Sequence, residues 1–305
     1  MKGFVVAALG AATFGITSAA PAAWAAKIYG IAEVAGAQRL VTWDSANPSV
    51  LLSDVPITNL PAGETIRGMD FSAISFPGAT PRLYGIGAGV DQYANVYQIF
   101  DQAAAAIALK LPYLGDPIAI ASGEHYGVTS FGSDALRSVN DAGRLTGYST
   151  VTNSGSGDGA VAYAIGDHNE GRTPHAVHLF NRFAVDTAID VLGRISLIGS
   201  PRPITTIGSL GADFDDAGAI DAARGDNNET IYAALLPAGQ TQSNFYVLDQ
   251  QTGQANLIGR IGNGVLISAM AVTPLPPIPE PAPLWLIATG LAAWMLSGGP
   301  WESRR

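Results

Sequence analysis

The feature of this sequence that most constrains its fold is a succession of short apolar runs separated by turn residues. The runs are about four to seven residues long, rich in β-branched and aromatic side chains, and bounded by Gly, Asn, Asp or Pro. They predict strands at residues 28–32, 38–43, 66–71, 82–87, 95–100, 160–165, 176–180, 230–235 and 244–248. Residues 102–111 contain an alanine run, but their position after Asp101 favours a strand–turn–strand or one short helix.

A turn with the sequence Asp-x-x-Thr-Gly follows the last of these runs, at Asp249, and weaker copies follow other runs. The predicted turn markers are Asp44, Asp101, Asp141, Asn181, Asp216 and Asp249. Their spacing, roughly 33 to 57 residues, brackets the ~40–50 residues of a four-stranded propeller blade. A turn Asp or Asn accepts hydrogen bonds from nearby backbone N–H groups, so these residues can recur without any catalytic role. We therefore predict an all-β fold, a β-propeller or propeller-like repeat domain over residues 26–273, with a β-sandwich as the alternative.

Three short sequence motifs resemble those of a known group of proteins. They begin at Leu83 (Leu-Tyr-Gly-Ile-Gly), at Val96 (Val-Tyr-Gln-Ile-Phe-Asp) and at Tyr246, the last running to Gly262. In this order they resemble an uncharacterised family of secreted bacterial domains with a degenerate propeller-like repeat. The resemblance covers about residues 28–273 and implies the fold but no activity.

The amino end has the order of a secretory signal peptide. Lys2 gives a short basic region, residues 4–16 are largely apolar, and Ala23-Trp24-Ala25 is an A-x-A cleavage site. We predict a signal peptide over residues 1–25, with cleavage sites at Ala23 and Ala25, which makes the secretion translocon an expected partner.

The carboxyl end has three parts. Prolines at residues 274–283 prevent a helix or a central strand, so this spacer is predicted to be extended. Residues 284–296 carry no charge and are apolar on all sides of a helix, and residues 284–305 are predicted to form an apolar transmembrane helix with a basic end at Arg304 and Arg305.

This tail, with Pro279, Glu280 and Pro281 at its centre, resembles the PEP-CTERM sorting signal of exopolysaccharide-producing Gram-negative bacteria. The resemblance implies an exosortase-type processing enzyme that acts near these three residues. It also implies a chain that is anchored in the inner membrane before processing and lies at the outer envelope surface or outside the cell afterwards.

Composition excludes several classes of function for the exported part. The net charge of -9 argues against nucleic acid and against anionic membrane surfaces, so membrane contact is expected only through the tail before processing. The chain has no cysteine, which excludes disulfides, thiol catalysis and thiolate metal sites.

Hard oxygen ligands are concentrated in one acidic segment. Its carboxylates could contribute to a structural calcium site, since calcium takes six to eight oxygen ligands, although the spacing is not that of an EF-hand. The candidate ligands are Asp213, Asp215, Asp216 and Asp221. No other cofactor is expected.

A second group of candidate ligands surrounds three histidines. His175 and His178, with Asp167 or Glu170, could supply nitrogen and oxygen to zinc, and His168 lies beside them. On a strand, however, positions three apart face opposite sides, so a polar loop leading into a strand is the alternative.

Acid–base chemistry would use carboxylates and histidines near the centre of a propeller. The available residues are Glu64, Asp70, Glu124, His125 and Asp134, and no spacing selects a pair of them. We therefore predict no catalytic residue. The test that separates the functional classes is whether Glu64, Asp70, Glu124 and Asp213 converge in the folded chain.

The expected function is that of an exported, non-catalytic cell-surface or extracellular-matrix protein that binds exopolysaccharide or a protein partner. Exposed aromatic side chains such as Trp43 and Tyr93 would be the first candidates for contact with glycan. The alternatives are a secreted propeller hydrolase acting on glycans or lactones, and a calcium or small-ligand binding module.

Overall fold

The structure is a computed structural model. It describes residues 25–72, 80–89, 93–112, 118–120, 125–130, 135–151, 153, 155–174, 177–180, 182–196, 198–223 and 229–274. Most of the predicted signal peptide, including Ala23, and the tail with Pro279, Glu280, Pro281, Arg304 and Arg305 lie outside these residues, as do Glu124, Asp134, His175 and Asn181. Among the described residues no helix is long and apolar enough to cross a membrane.

The described backbone consists of β-strands joined by turns and loops. The strands are β1 (Lys27–Val34), β2 (Ala37–Asp44), β3 (Asn47–Thr58), β4 (Thr65–Phe71), β5 (Leu83–Ala88), β6 (Ala94–Asp101), β7 (Ala106–Lys110), β8 (Tyr126–Ser130), β9 (Ala135–Asn140), β10 (Arg144–Ser149), β11 (Gly155–Tyr163), β12 (Val177–Phe180), β13 (Phe183–Asp186), β14 (Val191–Ile195), β15 (Arg202–Ser209), β16 (Phe214–Ala223), β17 (Thr230–Pro237), β18 (Asn244–Leu248), β19 (Ala255–Arg260) and β20 (Ile267–Val272). Each predicted strand coincides with one of these, and residues 102–111 form a strand after a turn.

The strands form five antiparallel groups of four, which we call blades. In chain order they are β20-β1-β2-β3, β4 to β7, β8 to β11, β12 to β15 and β16 to β19, with short parallel pairs joining β3 to β7 and β11 to β15. The first strand of each blade packs against the first strands of its two neighbours, so that β4, β8, β12, β16 and β20 surround a common axis. The fold is therefore all-β and propeller-like, as predicted, because a ring of inner strands differs from the two facing sheets of a sandwich.

The ring is closed by the two ends of the described chain. Strand β20 pairs with β1, and beyond it the Thr273 N–H and hydroxyl both donate to the Lys27 carbonyl, at 3.0 and 2.8 Å. The Ala26 N–H donates to Ser45 Oγ at 2.9 Å, and Ala26 is buried. The polypeptide thus enters and leaves the fold at adjacent points.

Large apolar side chains fill the space between blades. Trp43 is fully buried and meets Phe245 edge-on, with ring centroids 5.6 Å apart, and Phe245 stacks on Tyr232. The expectation that Trp43 would be an exposed contact for glycan is wrong, because its position on β2 faces the neighbouring blade. Tyr93 is exposed, as expected.

Most of the residues predicted to mark turns lie at the ends of strands or in turns. Asp44, Asp101 and Asp249 each end the third strand of a blade, as predicted, and Asp141 lies in the turn between β9 and β10. Asp249 Oδ1 accepts the N–H groups of Gln251 and Thr252, at 2.8 and 3.0 Å, as an Asp-x-x-Thr-Gly turn requires.

Asp216 is the marker for which the prediction is wrong. It lies within β16 rather than in a turn, in a stretch where the pairing with β17 shifts register between Phe214 and Gly218. Asp216 was predicted to lie in a turn because Asp215-Asp-Ala-Gly resembles the true turn Asn140-Asp-Ala-Gly. An irregular strand and a tight turn both favour Asp and Gly, so the local pattern does not distinguish them.

Candidate functional site at the mouth of the central axis

Two of the predicted site residues join neighbouring blades. Asp70 on β4 accepts the N–H of Phe71 at 2.6 Å with Oδ1, and its Oδ2 accepts the N–H of Ser130 on β8. Asp221 on β16 repeats this geometry, since it accepts the N–H of Ala222 at 2.8 Å and that of Val272 on β20 at 2.6 Å.

The repetition identifies the role of both carboxylates. Each is at most 4% exposed and binds its own strand with one oxygen and the next inner strand with the other. A buried carboxylate needs such donors, because an unpaired one is costly. Asp70 and Asp221 are therefore structural clamps between blades, for which we keep the name inter-blade clamps.

The other two candidate carboxylates among the described residues, Glu64 and Asp213, have different surroundings. Glu64 is buried and accepts the Asn95 side-chain amide at 2.6 Å. It lies six residues before Asp70 along an extended strand, which corresponds to about 20 Å. Asp213 is exposed in the connection before β16. The structure does not bring Glu64, Asp70 and Asp213 together.

The acidic segment that could have bound calcium is dispersed in the same way. Asp215 accepts the Gly239 N–H at 3.1 Å, whereas Asp221 is an inter-blade clamp and Asp216 belongs to the cluster described below. Across the described residues, no group of three or more His, Asp or Glu side chains is arranged to hold a metal ion.

The histidine-rich loop is organised around Asp167 rather than around a ligand. Asp167 accepts the N–H and hydroxyl of Thr206, at 2.7 and 2.9 Å, and the N–H of Asn169 at 2.9 Å. Burial raises the pKa of Asp167, but these hydrogen bonds outweigh it and leave the pKa below its ordinary value. The neighbouring Glu170 accepts the Gly166 N–H, and the His168 side chain is largely exposed. Asp167 thus anchors the loop to β15.

One cluster of ionisable side chains does lie where the inner strands begin. We call it the mouth site, and it consists of Arg67 on β4, His125 just before β8, Asp141 in the β9–β10 turn and Asp216 on β16. His125 is bound twice by Asp141 Oδ2, through its backbone N–H at 3.0 Å and through Nδ1 at 3.3 Å. Asp141, from a later turn of the same blade, thus holds both the backbone and the ring of His125.

The charge of His125 is set by its neighbours. The hydrogen bond that the protonated imidazole donates to Asp141 raises the pKa of His125, and burial lowers it. The negative charges of Asp141 and Asp216 raise the pKa further, whereas the charge of Arg67 lowers it. The net effect is a pKa above the ordinary value of histidine. The backbone geometry places Arg67 near His125, because a Cβ atom on Gly68, next to Arg67, would lie 2.9 Å from the carbonyl oxygen of Tyr126, next to His125.

Irregular pairing directs two members of the mouth site out of the strand ladders. Arg67 is the extra residue in a bulge, since its neighbours Ile66 and Gly68 pair with the adjacent residues Gly87 and Ile86. Asp216 lies in the comparable register shift of β16. Bulges re-aim side chains and are frequent beside functional sites.

Polar atoms without partners occur beside this bulge. Arg67 Nε and Thr65 Oγ1 are buried and have no hydrogen-bond partner. The Arg67 guanidinium also forms no ion pair with a described residue. Buried polar groups are normally hydrogen-bonded, so these two atoms are exceptions to the usual pairing.

Behind the mouth site the axis is tightly packed. It is lined by Met69, Tyr126, Val128, Ile220 and Met270, among others. A Cβ atom placed on Gly68 would lie 2.2 Å from Val128 Cγ2, so the inner strands β4 and β8 approach too closely for a side chain there.

Sequence reasoning found only part of this site. It selected His125, treated Asp141 as a turn marker and Asp216 as a turn marker and candidate calcium ligand, and did not select Arg67. The available signal was an arginine between the buried residues Ile66 and Gly68 of the inner strand Thr-Ile-Arg-Gly-Met-Asp-Phe. A charged residue at such a position is unusual unless it is paired or functional.

The fold and the mouth site define a class, an all-β propeller-like protein with a mixed-charge cluster at one end of its axis. The chain belongs to the family described as "Domain of unknown function (DUF4394)", whose profile matches residues 39–271. No curated protein matches the chain.

Several solved structures are similar to the chain at low identity. A protein from Lactobacillus plantarum has 9% identity and a TM-score of 0.40, with 81% of this chain and 99% of that chain covered. The Malassezia sympodialis allergen Mala s 1 has 10% identity and a TM-score of 0.34, with 72% and 71% covered. A putative 6-phosphogluconolactonase from Bacteroides fragilis has 9% identity and a TM-score of 0.35, with 81% and 98% covered. These values are too low for the likeness to bear on the function of this chain.

Proposed function

We propose that this chain is an exported cell-surface or extracellular-matrix protein that binds exopolysaccharide or a protein partner and does not convert it. The observation that carries the proposal is the engagement of two candidate catalytic carboxylates among the described residues, Asp70 and Glu64; Glu124 and Asp134 lie outside those residues. Asp70 clamps two blades, and Glu64, which accepts the Asn95 amide, precedes Asp70 by six residues of extended chain, which corresponds to about 20 Å. Glycoside hydrolysis commonly needs two carboxyl groups about 5–9.5 Å apart, and this pair does not meet that requirement.

Export and anchoring form the second part of the proposal. The signal peptide would be removed after Ala25 in the translocon, and an exosortase-type enzyme would process the tail near Glu280. Two observations support this arrangement: Ala26, directly after the proposed cleavage point, is buried and bonded to Ser45, and Thr273 lies beside Lys27. Both terminal segments can therefore be removed without cutting a blade.

A secreted hydrolase is the second candidate function, and the His125–Asp141 pair is the observation that favours it. A histidine oriented by a carboxylate can act as a general acid or base. The pair would need a substrate held against Arg67, with the bond to be broken within reach of the imidazole.

The test is co-sedimentation of the full chain with the exopolysaccharide of the producing cells, followed by an assay for new reducing ends. Retention without new reducing ends is the result expected of a binding protein. New reducing ends that disappear in His125→Asn would replace the binding function with the hydrolase. Absence of both retention and turnover would remove glycan from the proposal and leave a protein partner.

A further inference from the structure

We propose that the mouth site binds a carboxylate-bearing sugar, a uronate, with Arg67 and His125 on the carboxylate and with Asp141 and Asp216 toward the hydroxyl groups. This inference rests on the proposed glycan-binding function and names the chemistry of the ligand. It assigns a binding role to residues that the sequence did not bring together.

Arg67 provides the first step of the argument. Its guanidinium has no ion pair with a described residue, and its Nε is buried without a hydrogen-bond partner. A guanidinium presents parallel N–H groups whose spacing matches the two oxygens of a carboxylate. The hydroxyl of Thr65, two residues earlier in the chain, is also buried without a hydrogen-bond partner.

His125 provides the second positive group. Asp141 binds its backbone N–H at 3.0 Å and its Nδ1 at 3.3 Å, so Nε2 is the ring nitrogen that this carboxylate does not bind. Its side chain is 39% exposed, so the ring is accessible from the surface. The groups that act on the ring come from three other elements: Arg67 from β4, Asp141 from the β9–β10 turn and Asp216 from β16.

The balance of charge selects among anions. With a protonated imidazole, the mouth site contains two positive groups, Arg67 and His125, and two carboxylates, Asp141 and Asp216. A doubly charged phosphate would meet two nearby carboxylates without an excess of positive charge. A uronate carries one negative charge and several hydroxyl groups, and carboxylates readily accept hydrogen bonds from hydroxyl groups.

The test is calorimetric titration of the full chain with galacturonate and, as the neutral counterpart, with galactose. Arg67→Gln removes the guanidinium, and Arg260→Gln is the matched control because Arg260 is exposed on the outer strand β19. We expect galacturonate to bind more tightly than galactose, and Arg67→Gln to weaken galacturonate binding about tenfold or more. Arg260→Gln should leave the affinity unchanged.

The wild-type pH profile tests the same inference without a substitution that could disturb folding. Affinity for galacturonate should be highest while His125 is protonated and fall as the pH rises through its raised pKa. Three results would each overturn the inference. They are equal binding of the two sugars, no measurable galacturonate binding, and an Arg67→Gln variant that is folded and binds like wild type. If the full chain still sediments with native exopolysaccharide in those cases, the proposed function survives; if it does not, the proposed function fails as well.

Discussion

A substitution at the inter-blade clamp Asp221 would measure how much the contact between β16 and β20 contributes to the stability of the ring. We expect Asp221→Asn to destabilise the protein, because the carboxylate is 3% exposed and accepts the N–H groups of Ala222 and Val272. An asparagine retains one acceptor oxygen, but its amide group would face a second N–H donor. The inner strand β16 would then lose one bond, either within itself or to β20.

The expected magnitude follows from the bonds that are lost. A hydrogen bond to a charged group contributes roughly 1.5–3 kcal/mol, and leaving a buried N–H without an acceptor costs roughly 1–3 kcal/mol. Removing a buried charge offsets part of this loss. We therefore expect a decrease of about 2–3 kcal/mol in the free energy of unfolding, which for a domain of this size lowers Tm by roughly 5–10 °C.

Guanidinium denaturation, followed by circular dichroism, measures the change. Asp213→Asn is the matched control, because Asp213 is exposed just before the same strand and removes the same charge. Asp70→Asn should behave like Asp221→Asn, since its carboxylate makes the equivalent pair of bonds. If Asp221→Asn and Asp213→Asn changed the unfolding free energy equally, the clamp interpretation would be refuted.

The remaining predictions concern the mouth site, a turn and export. Asp141→Asn should lower the pKa of His125, as followed by NMR of the imidazole, because the hydrogen bond that raises it most is weakened. The pKa of His125 in the folded protein lies above the unfolded value of 6.5. Its contribution to stability is therefore present below pH 6.5 and is lost as the pH rises through the folded pKa. A free energy of unfolding that increases over this pH window would contradict the pairing of His125 with Asp141. Gly253→Ala should destabilise more than Gly239→Ala, because both have positive φ but only at Gly253 would a Cβ atom come within 2.5 Å of a backbone oxygen. Denaturant midpoints of the two variants measure the difference, and equal midpoints would show that the steric clash at Gly253 does not affect stability. Mass spectrometry of the exported protein should find Ala26 as the first residue, and a retained leader would exclude cleavage after Ala25.

Local sequence patterns predicted the strands and several turns because those features depend on neighbouring residues. Alternating β-branched and aromatic side chains favour a pleated strand, and Asp249 with Gly253 has the chemistry of one tight turn. The same patterns failed for Trp43 and Asp216, whose environments depend on which blade lies alongside and on a register shift.

The candidate site could be predicted only in part for a related reason. His125 is visible as an ionisable residue beside Tyr126, but its partner Asp141 belongs to a later turn and Arg67 to the preceding blade. Asp70 and Asp221 have the composition of catalytic or metal-binding residues, and their bonds to Ser130 and Val272 are visible only when neighbouring inner strands are in place.

The sequence alone therefore determined the β-strand character of this protein, the turn at Asp249 and the absence of cysteine chemistry. The tertiary structure decided that β20 closes the ring against β1, that two buried carboxylates clamp blades and that Asp141 binds His125. The physical reason is range. Turns and strand propensity arise from contacts between near neighbours, whereas the ring and its mouth site arise from pairings between segments far apart in the chain, which similar strands do not distinguish by their local pattern.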